Sequence, residues 1–301
     1  MKPRDAAELL LLAAIWGASF LFMRLAVPAF GPIALADVRV TGAALLLLPV
    51  ALAGGHGRAM RSHMGPLFIA GVFSSALPFV AFSHAALHLG AGLMSVLNAA
   101  TPLFAALIAW RFLGERLDGW RIAGLLVGLA GVALLVADKL RLGGTPLALA
   151  ACLAATACYA AVSAYAQQRL AGVPPLGIAA GTQLGAAAAL LAPAVGAWPA
   201  AAPAPLPWAA ALGLSLLCSA LAYVLYFRLL QRVGSSRATA VTFLIPAFGI
   251  LWGAVFLGEP VTPTMLVAGG VVVLGTMLAT GYWRPFGPPA QRAATVDEAR
   301  P

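Results

Sequence analysis

The amino-acid sequence predicts an all-α integral membrane protein of ten transmembrane helices, arranged as two inverted five-helix repeats around a central cavity. Three observations predict this fold class: an apolar composition, an internal duplication and an uneven distribution of basic residues. Of the 301 residues, 62% are hydrophobic and 9% are charged, whereas soluble domains carry about 25% charged residues. The mean hydropathy is +0.96. We therefore expect the chain to be surrounded by lipid, and its length accommodates ten spans of roughly 20 residues each.

The duplication becomes visible when the sequence is shifted along itself by 144 positions. The shift aligns two Phe-Leu-Gly-Glu segments, 112–115 and 256–259, and also aligns Pro102 with Pro246. Two apolar copies of one unit are typical of carriers built from internal repeats. The sequence accordingly divides into a first repeat at 1–142, a second, inverted repeat at 143–283, and a cytoplasmic tail, expected to be disordered, at 284–301.

Clusters of Gly, Pro and charged residues separate ten apolar segments. The predicted spans are 6–27, 33–53, 66–87, 90–112, 119–137, 145–166, 176–196, 208–230, 237–257 and 263–282.

The basic residues predict the orientation of these spans. With a cytoplasmic N-terminus, the inside segments hold 14 Lys and Arg residues and the outside loops hold 2. This bias follows the positive-inside rule, so both termini are predicted to face the cytoplasm from a multi-pass position in the cytoplasmic (inner) membrane. Because each repeat has an odd number of spans, the second repeat inserts upside down. The turn at Glu115 then faces the cytoplasm and the turn at Glu259 faces outside.

Other functional classes find little support in the sequence. The net charge of +9 is accounted for by cytoplasmic loops, so no nucleic-acid partner is expected. The three cysteines lie in apolar segments without a metal-ligand motif, and no cofactor is predicted. His84 and His88 are spaced for a metal site, but no carboxylate or thiol accompanies them, so they are interpreted as interfacial residues. No nucleophile–base pair or phosphate-binding Gly-Lys-Ser/Thr loop occurs, which argues against an enzyme or a primary pump.

The chain resembles the drug/metabolite transporter superfamily, and within it the EamA-type bacterial exporters. The matching features are Trp16-Gly17 in the first span, Arg39 in the second, and the two Phe-Leu-Gly-Glu copies, each with a proline upstream. The resemblance implies a secondary carrier whose cavity is lined by spans one, three, four, six, eight and nine. It further implies small-metabolite substrates, with the bacterial amino acid exporters as the most similar group. Many members of this family carry a basic residue late in both the first and the sixth spans. This chain departs from that pattern, because Arg24 is matched in the sixth span by Gln167 or Gln168.

Polar and aromatic residues near the middle of spans are the candidates for lining this cavity, because a buried polar group without a partner costs about 2–7 kcal/mol. Several of them are related by the 144-residue shift. The predicted substrate-binding set is Trp16, Phe79, Ser83, Asn98, Tyr159, Ser163, Tyr223 and Thr242. The alternative is that the aromatic and Ser residues only pack helix contacts.

Asn98 and Thr242 each lie four residues before a proline, Pro102 or Pro246. A proline frees the carbonyl about four residues back. We therefore expect both helices to kink at mid-depth and to expose backbone acceptors to a solute. The alternative is that Asn98 and Thr242 only satisfy the freed backbone.

Asp37 and Arg39 are interpreted as structural or gating charges near the outer end of the second span. Arg39 is placed near enough to that end for its side chain to reach the headgroups. An Asp37–Arg24 pair is plausible across the short outer loop. Asp37 is also taken as the one carboxylate within the spans that could couple transport to protons, although its shallow depth argues against this role.

The predicted function is a secondary transporter that exports small metabolites or facilitates their passage, with amino acids as the first choice. Drugs, cofactors and other metabolites remain alternative substrates, and an integral-membrane enzyme is the alternative from another class. The expected partners are a small-molecule substrate and the bilayer. Gly-rich faces in the fifth and tenth spans are explained by packing within the chain, while a dimer contact stays open.

Overall fold

The computed structural model describes residues 2–112, 114, 117–141 and 145–283. Glu115, the repeat boundary at 142–143 and the tail at 284–301 lie outside this part of the chain. The ten principal helices are α1 Pro3–Phe30, α2 Pro32–Ala53, α3 Met64–Ala86, α4 Ala91–Phe112, α5 Gly119–Arg141, α6 Pro146–Arg169, α7 Pro175–Gly196, α8 Pro205–Val233, α9 Val241–Leu257 and α10 Pro263–Ala279. Two short helices, Gly57–Ser62 and Ser235–Ala238, lie in connections.

The described helices suit a membrane environment. By length and composition, eight of those in the described ranges can cross a membrane, whereas the apolar helices α9 and α10 are shorter, with 17 residues each. Large apolar side chains such as Leu45 and Val195 lie on the outer surface, with exposed fractions of 70% and 74%. Such surfaces are stable against lipid and would be a liability in water.

Prolines start many of these helices. Because the first turn of a helix leaves its N–H groups unbonded, a proline there loses nothing. The predicted spans are separated at the same prolines. Their boundaries therefore agree closely with the ends of the helices in the structure. The helices with proline in the first turn are α1, α2, α6, α7, α8 and α10.

The two halves of the chain interleave in a reciprocal pattern. Helix α1 packs against α8 and α9 of the second half, and α6 packs in the same way against α3 and α4 of the first. Helices α2 and α7, which the 144-residue shift relates to each other, are in direct contact, and so are α5 and α10. Contacts that map onto each other in this way are those of a two-fold arrangement.

The glycine faces of α5 and α10 form one of these contacts. The Gly275 backbone lies directly against Gly128, and a Cβ atom on Gly124 would come within 2.7 Å of the carbonyl oxygen of Gly275. Side chains at these positions would push the two helices apart, so glycine is required by the close approach. These faces therefore serve packing within the chain.

Helices α3 and α8 each contain a π-helical segment, at Val72–Ala76 and Gly213–Leu221. The two segments overlap under the 144-residue shift. A π-helical turn widens the helix and changes the direction of the side chains that follow it. In both halves it precedes a predicted site residue, Phe79 in α3 and Tyr223 in α8. The sequence analysis did not anticipate these segments.

The fourth and ninth predicted spans are interrupted at different places. Helix α4 breaks at Ala99–Ala100, directly before Pro102. In the second half the break lies at Thr239–Ala240, and Pro246 follows inside the continuous helix α9. Relative to the proline, the break in the second half lies about one helical turn earlier than the break in α4. Pro102 therefore lies at the start of a helical segment, whereas Pro246 lies inside one.

Candidate functional site

Two reciprocal hydrogen bonds lie where the halves meet. Arg39 of α2 donates from Nε to Ser219 Oγ of α8 at 3.0 Å, and Gln183 of α7 donates from Nε2 to Ser75 Oγ of α3 at 2.8 Å. The shift of 144 positions carries Arg39 onto Gln183 and Ser75 onto Ser219. Both hydroxyl groups belong to the π-helical segments. The same contact is thus made twice, once with a charged donor and once with a neutral donor.

The guanidinium of Arg39 lies in the interior of the bundle. Its central carbon sits 3.7 Å from the centroid of the Phe79 ring, and the residue is 7% exposed. This placement corrects the expectation that Arg39 reaches the headgroups. Although its backbone is near the end of α2, the side chain is directed inward, where an aromatic face and a serine hydroxyl receive it.

The other charges near Arg39 also differ from the expectation. Asp37 accepts a hydrogen bond from Thr41 Oγ1 at 3.3 Å on its own helix. Arg24 donates to the carbonyl of Ala86 at 2.8 Å and pairs with Glu259 at 3.5 Å. The plausible Asp37–Arg24 pair is therefore replaced by partners at the ends of α3 and α9.

Aromatic residues of the predicted set occupy the space between the two halves. Tyr159 of α6 stacks on Phe82 of α3, with ring centroids 6.2 Å apart and planes at 22°. Trp16 of α1 packs on Tyr226 of α8 at 5.3 Å. Trp16 and Tyr159 are half-buried and flank the same apolar core. Tyr223 is also half-buried and lies one helical turn beyond Ser219, the hydrogen-bond partner of Arg39, while Tyr159 packs against the cluster that contains Phe79.

The two serines of the predicted set are placed differently. Ser83 is buried, with 1% of its surface exposed. Ser163 is exposed, and its hydroxyl donates to the carbonyl of Tyr159 at 2.8 Å, one turn earlier on the same helix. This bond occupies the donor of Ser163 and leaves its lone pairs as acceptors.

The proline-freed carbonyl in α4 has a partner within the helix. Thr101 Oγ1 donates to the carbonyl of Asn98 at 2.8 Å, so this acceptor is already used. The amide side chain of Asn98 remains half-buried. In α9 the hydroxyl of Thr242 donates to the carbonyl of Thr239 at 2.8 Å. For Asn98 the expectation of a free backbone acceptor is wrong, because a neighbouring hydroxyl satisfies it.

Glu259 closes one end of the bundle. Its carboxylate accepts from the backbone N–H groups of Ala91 at 2.9 Å and Gly92 at 3.3 Å, which are the first N–H groups of α4. The preceding Gly258 has a φ of +63°, a left-handed conformation that ends α9 and turns the chain back. Because a helix N-terminus carries partial positive charge, the carboxylate and Arg24 complete a compact polar closure.

Four charged side chains close the opposite end, between α1 and α8. Arg228 binds both carboxylate oxygens of Glu8, at 3.2 Å each, and Arg232 pairs with Asp5 at 3.2 Å and with Glu8. The sequence analysis missed this cluster. It also named Asp37 as the one carboxylate within the spans, which is wrong, because Glu8 falls inside the predicted first span at 6–27. The signal that could have revealed the cluster is an acidic residue within an apolar run that faces a basic helix end.

Two further features lie apart from the predicted residues. The rings of His84 and His88 are 5.5 Å apart, and no group of three or more potential metal ligands occurs in the described part of the chain. A shallow apolar groove of about 180 Å³ lies between α1, α8 and α9. None of the predicted substrate-binding residues lines it. Its lining residues are Ala14, Ile15, Ala18, Phe22, Leu217, Cys218 and Trp252.

The sequence matches the model of the EamA-like transporter family in two segments, at residues 7–137 and 146–281. The chain therefore belongs to the EamA-like transporter family and is a membrane transporter. The resemblance inferred from the duplicated Phe-Leu-Gly-Glu motif is confirmed at the level of the family.

Several curated proteins are similar to this chain along most of their length. The uncharacterized transporter YvbV of Bacillus subtilis is 26% identical, over 98% of this chain and 96% of the relative. A probable terminal-alkyne amino-acid exporter of Streptantibioticus cattleyicolor is 28% identical, over 92% of this chain and 94% of that protein. The uncharacterized inner membrane transporter YedA of Escherichia coli is 27% identical, over 88% and 87%.

A chain of known crystal structure has a similar fold. It superposes with a TM-score of 0.65, covers 94% of this chain and 98% of its own length, and is 22% identical in sequence. At this identity the likeness concerns the fold alone.

Proposed function

We propose that this protein is a secondary transporter that exports small metabolites, or facilitates their passage, across the cytoplasmic membrane by alternating access. Amino acids, including aromatic and apolar ones, are the proposed substrate class. In this proposal all ten helices cross the bilayer, both termini are cytoplasmic, and the two five-helix halves insert with opposite orientation. Drugs, cofactors and other metabolites are the alternative substrates.

The observation that carries the proposal is the reciprocal pair of hydrogen bonds, Arg39 to Ser219 and Gln183 to Ser75. Repeats of inverted orientation share a pseudo-two-fold axis in the membrane plane, and each contact across such an axis has a symmetric counterpart. Rocking of one half against the other can then exchange the side on which a central site is open.

The proposed site combines aromatic and polar groups from both halves. Trp16, Phe79, Tyr159 and Tyr223 would contact the apolar part of the solute, since aromatic rings bury much surface at little entropic cost. The amide of Asn98 and the hydroxyl groups of Ser83, Ser163 and Thr242 would orient its polar groups. The half-buried state of Trp16, Asn98, Tyr159, Tyr223 and Thr242 supports access from an interior space.

An amino acid substrate is supported by the relative from Streptantibioticus cattleyicolor, whose name describes a probable terminal-alkyne amino-acid exporter. A small apolar amino acid needs both an apolar contact surface and a few polar partners. The proposed site offers both. The names of several relatives describe transporters, which supports transport over an enzymatic reaction.

Counterflow in proteoliposomes tests the proposal. We expect the purified protein to exchange at least one amino acid of a broad panel, and the comparison with and without a proton gradient reports on coupling. Tyr159→Ala and Asn98→Ala should each reduce flux while membrane insertion is unchanged. Leu147→Ala on the same helix serves as the control, because Leu147 lies on the outer surface and is 67% exposed. Undiminished flux in both site variants would exclude the proposed site, and product formation without flux would favour the enzyme.

A further inference from the structure

Arg39 is a buried cation whose charge has no counterpart in the described protein. Three arginines of the described residues, Arg24, Arg228 and Arg232, each pair with a carboxylate. In the described ranges no carboxylate lies within ion-pair distance of Arg39, although this residue is 7% exposed. A buried, unpaired charge is costly and marks a functional position by default.

The guanidinium is held in place but only partly used. Its face lies on the Phe79 ring and its Nε–H is donated to Ser219, which together fix the plane of the group. Among the described residues, the two terminal nitrogens have no hydrogen-bond partner. These two nitrogens also keep some accessible surface, in contrast to Ser19 Oγ and Ser215 Oγ, which are buried and unbonded. Four N–H donors in a planar fork therefore remain available in the interior.

The surroundings of this fork suit an organic solute. Tyr159 packs against the apolar cluster that contains Phe79, on whose ring the Arg39 guanidinium lies, and Tyr223 follows Ser219 by one turn of α8. Tyr159 is near the middle of α6, and Ser219 is near the middle of α8. The backbone of Arg39 lies near the end of α2, but its side chain places a positive charge at the mid-depth of the bundle, beside aromatic surface.

The symmetric contact shows that packing does not require the charge. At the counterpart position, the neutral Gln183 makes the corresponding hydrogen bond to Ser75 in an equally buried place. Because glutamine suffices to join α7 to α3, an arginine is not needed to join α2 to α8. The charge of Arg39 serves another purpose.

We infer that Arg39 binds the carboxylate of the transported solute through its terminal nitrogens. Arginine binds carboxylates in a bidentate manner, and such charge-assisted bonds are roughly twice as strong as neutral ones. Tyr159 and Tyr223 then contact an apolar or aromatic group attached to that carboxylate. The substrate class is a carboxylate joined to an apolar group, and the inference rests on the proposed transport function. Among the described residues no carboxylate lies within ion-pair distance of Arg39, and its free donors suit a carboxylate rather than an ammonium group.

Three related probes separate the contributions of carboxylate and ammonium: L-phenylalanine, phenylpyruvate and L-phenylalaninamide. Binding to the purified protein is measured by ligand-induced shifts in thermal unfolding, and transport is measured by counterflow. We expect both acids to bind. The amide, which lacks a carboxylate, should bind at least about tenfold more weakly.

Arg39→Gln is the test variant, because it copies the contact that Gln183 makes with Ser75 and so preserves the helix interface. It should abolish the preference for acid over amide while amide binding is unchanged. Leu45→Ala on the same helix is the matched control. Leu45 lies on the outer surface of α2 and is 70% exposed, so this change leaves the charge of Arg39 in place and should retain the preference. Arg39→Lys should retain part of it.

The outcomes are distinguishable. An Arg39→Gln variant that still prefers the acids overturns the inference and leaves the transport function intact. A wild-type protein that binds acid and amide equally also overturns it. Preferential binding of the acids without counterflow of any probe supports the carboxylate site and counts against transport of this class.

Discussion

At one end of the bundle, the first turns of α1 contact the last turns of α8. At the other end, α6 contacts α3, and the 144-residue shift relates this contact to the first one. The α1–α8 end is joined by Asp5 and Glu8 with Arg228 and Arg232. At the corresponding positions of the other end, the carboxylates are replaced by Leu149 and Cys152, both buried, and the arginines by His84 and His88.

The comparison shows that the repeated backbone does not impose repeated chemistry. One end is held by ion pairs at the α1–α8 contact. The other has no carboxylate at the equivalent positions, and its polar closure lies instead between Glu259, Arg24 and the start of α4. In a carrier that opens alternately to two sides, unequal closures give the two open states unequal free energies. In the proposed carrier, residues outside the central site would thus help to set the resting orientation.

The orientation of the two ends is tested first, because labelling gives an all-or-none result. Arg58 and Ala202 are exposed, related by the shift, and located in the α2–α3 and α7–α8 connections. Inverted halves place these connections on opposite sides of the membrane. A membrane-impermeant maleimide should label Ala202→Cys on intact cells and Arg58→Cys only after permeabilisation. Labelling of both positions from the same side would contradict the inversion and, with it, the comparison of an inner and an outer end.

The ion pairs at the α1–α8 end are expected to have the next largest effect. Glu8→Arg places a third positive charge beside Arg228 and Arg232 and should lower the free energy of unfolding by about 1–3 kcal/mol. The loss is smaller than for a fully buried ion pair because half of the Arg228 side chain is exposed to solvent, at 51%. Thermal unfolding of the purified protein measures the loss, and high salt should reduce the difference from the wild type.

A charge exchange provides the control for this prediction. Glu8→Arg combined with Arg232→Glu restores opposite charges across the contact and should recover part of the lost stability. Cys152→Ala changes the corresponding position at the other end without removing an ion pair. The difference in stability between this variant and the wild type should therefore not depend on salt. If the double variant were no more stable than Glu8→Arg alone, these side chains would not be paired in the folded protein.

The closure at Glu259 should give the smallest effect of the three. Glu259→Gln keeps one oxygen that can accept from the start of α4 but removes the charge that the helix N-terminus and Arg24 favour. We expect a loss of about 0.5–1.5 kcal/mol in the free energy of unfolding. Because Arg24 and Glu259 act as a pair, Arg24→Gln should cost less in the Glu259→Gln background than alone. Strictly additive losses in a double-mutant cycle would show that the 3.5 Å pair contributes nothing.

Much of the helical framework could be predicted from residues such as Pro32, Pro146 and Gly258. Prolines and glycines act locally, because they fix or free backbone dihedrals at their own positions. The proline at 102 likewise indicated the interruption of α4. The break at Thr239–Ala240 escaped prediction, since neither residue carries a local signal for it.

The candidate site was only partly accessible to sequence reasoning. Mid-span positions selected Trp16, Tyr159 and Tyr223, and all three are half-buried in the structure. The same reasoning misplaced Arg39, because its depth was judged from its backbone, whereas its side chain extends toward Ser219, 180 residues away. The partners of Glu8 are similarly remote, at separations of 220 and 224 residues.

The sequence by itself determined the apolar helices, their order, their duplication and the family to which the chain belongs. These properties depend on composition and on spacing along the chain, which a linear sequence states completely. Only the tertiary structure decided which charges are paired, which carbonyls are satisfied and where Arg39 directs its donors. Those outcomes depend on how each helix is rotated against its neighbours, and this rotation is set by the packing of all the helices together.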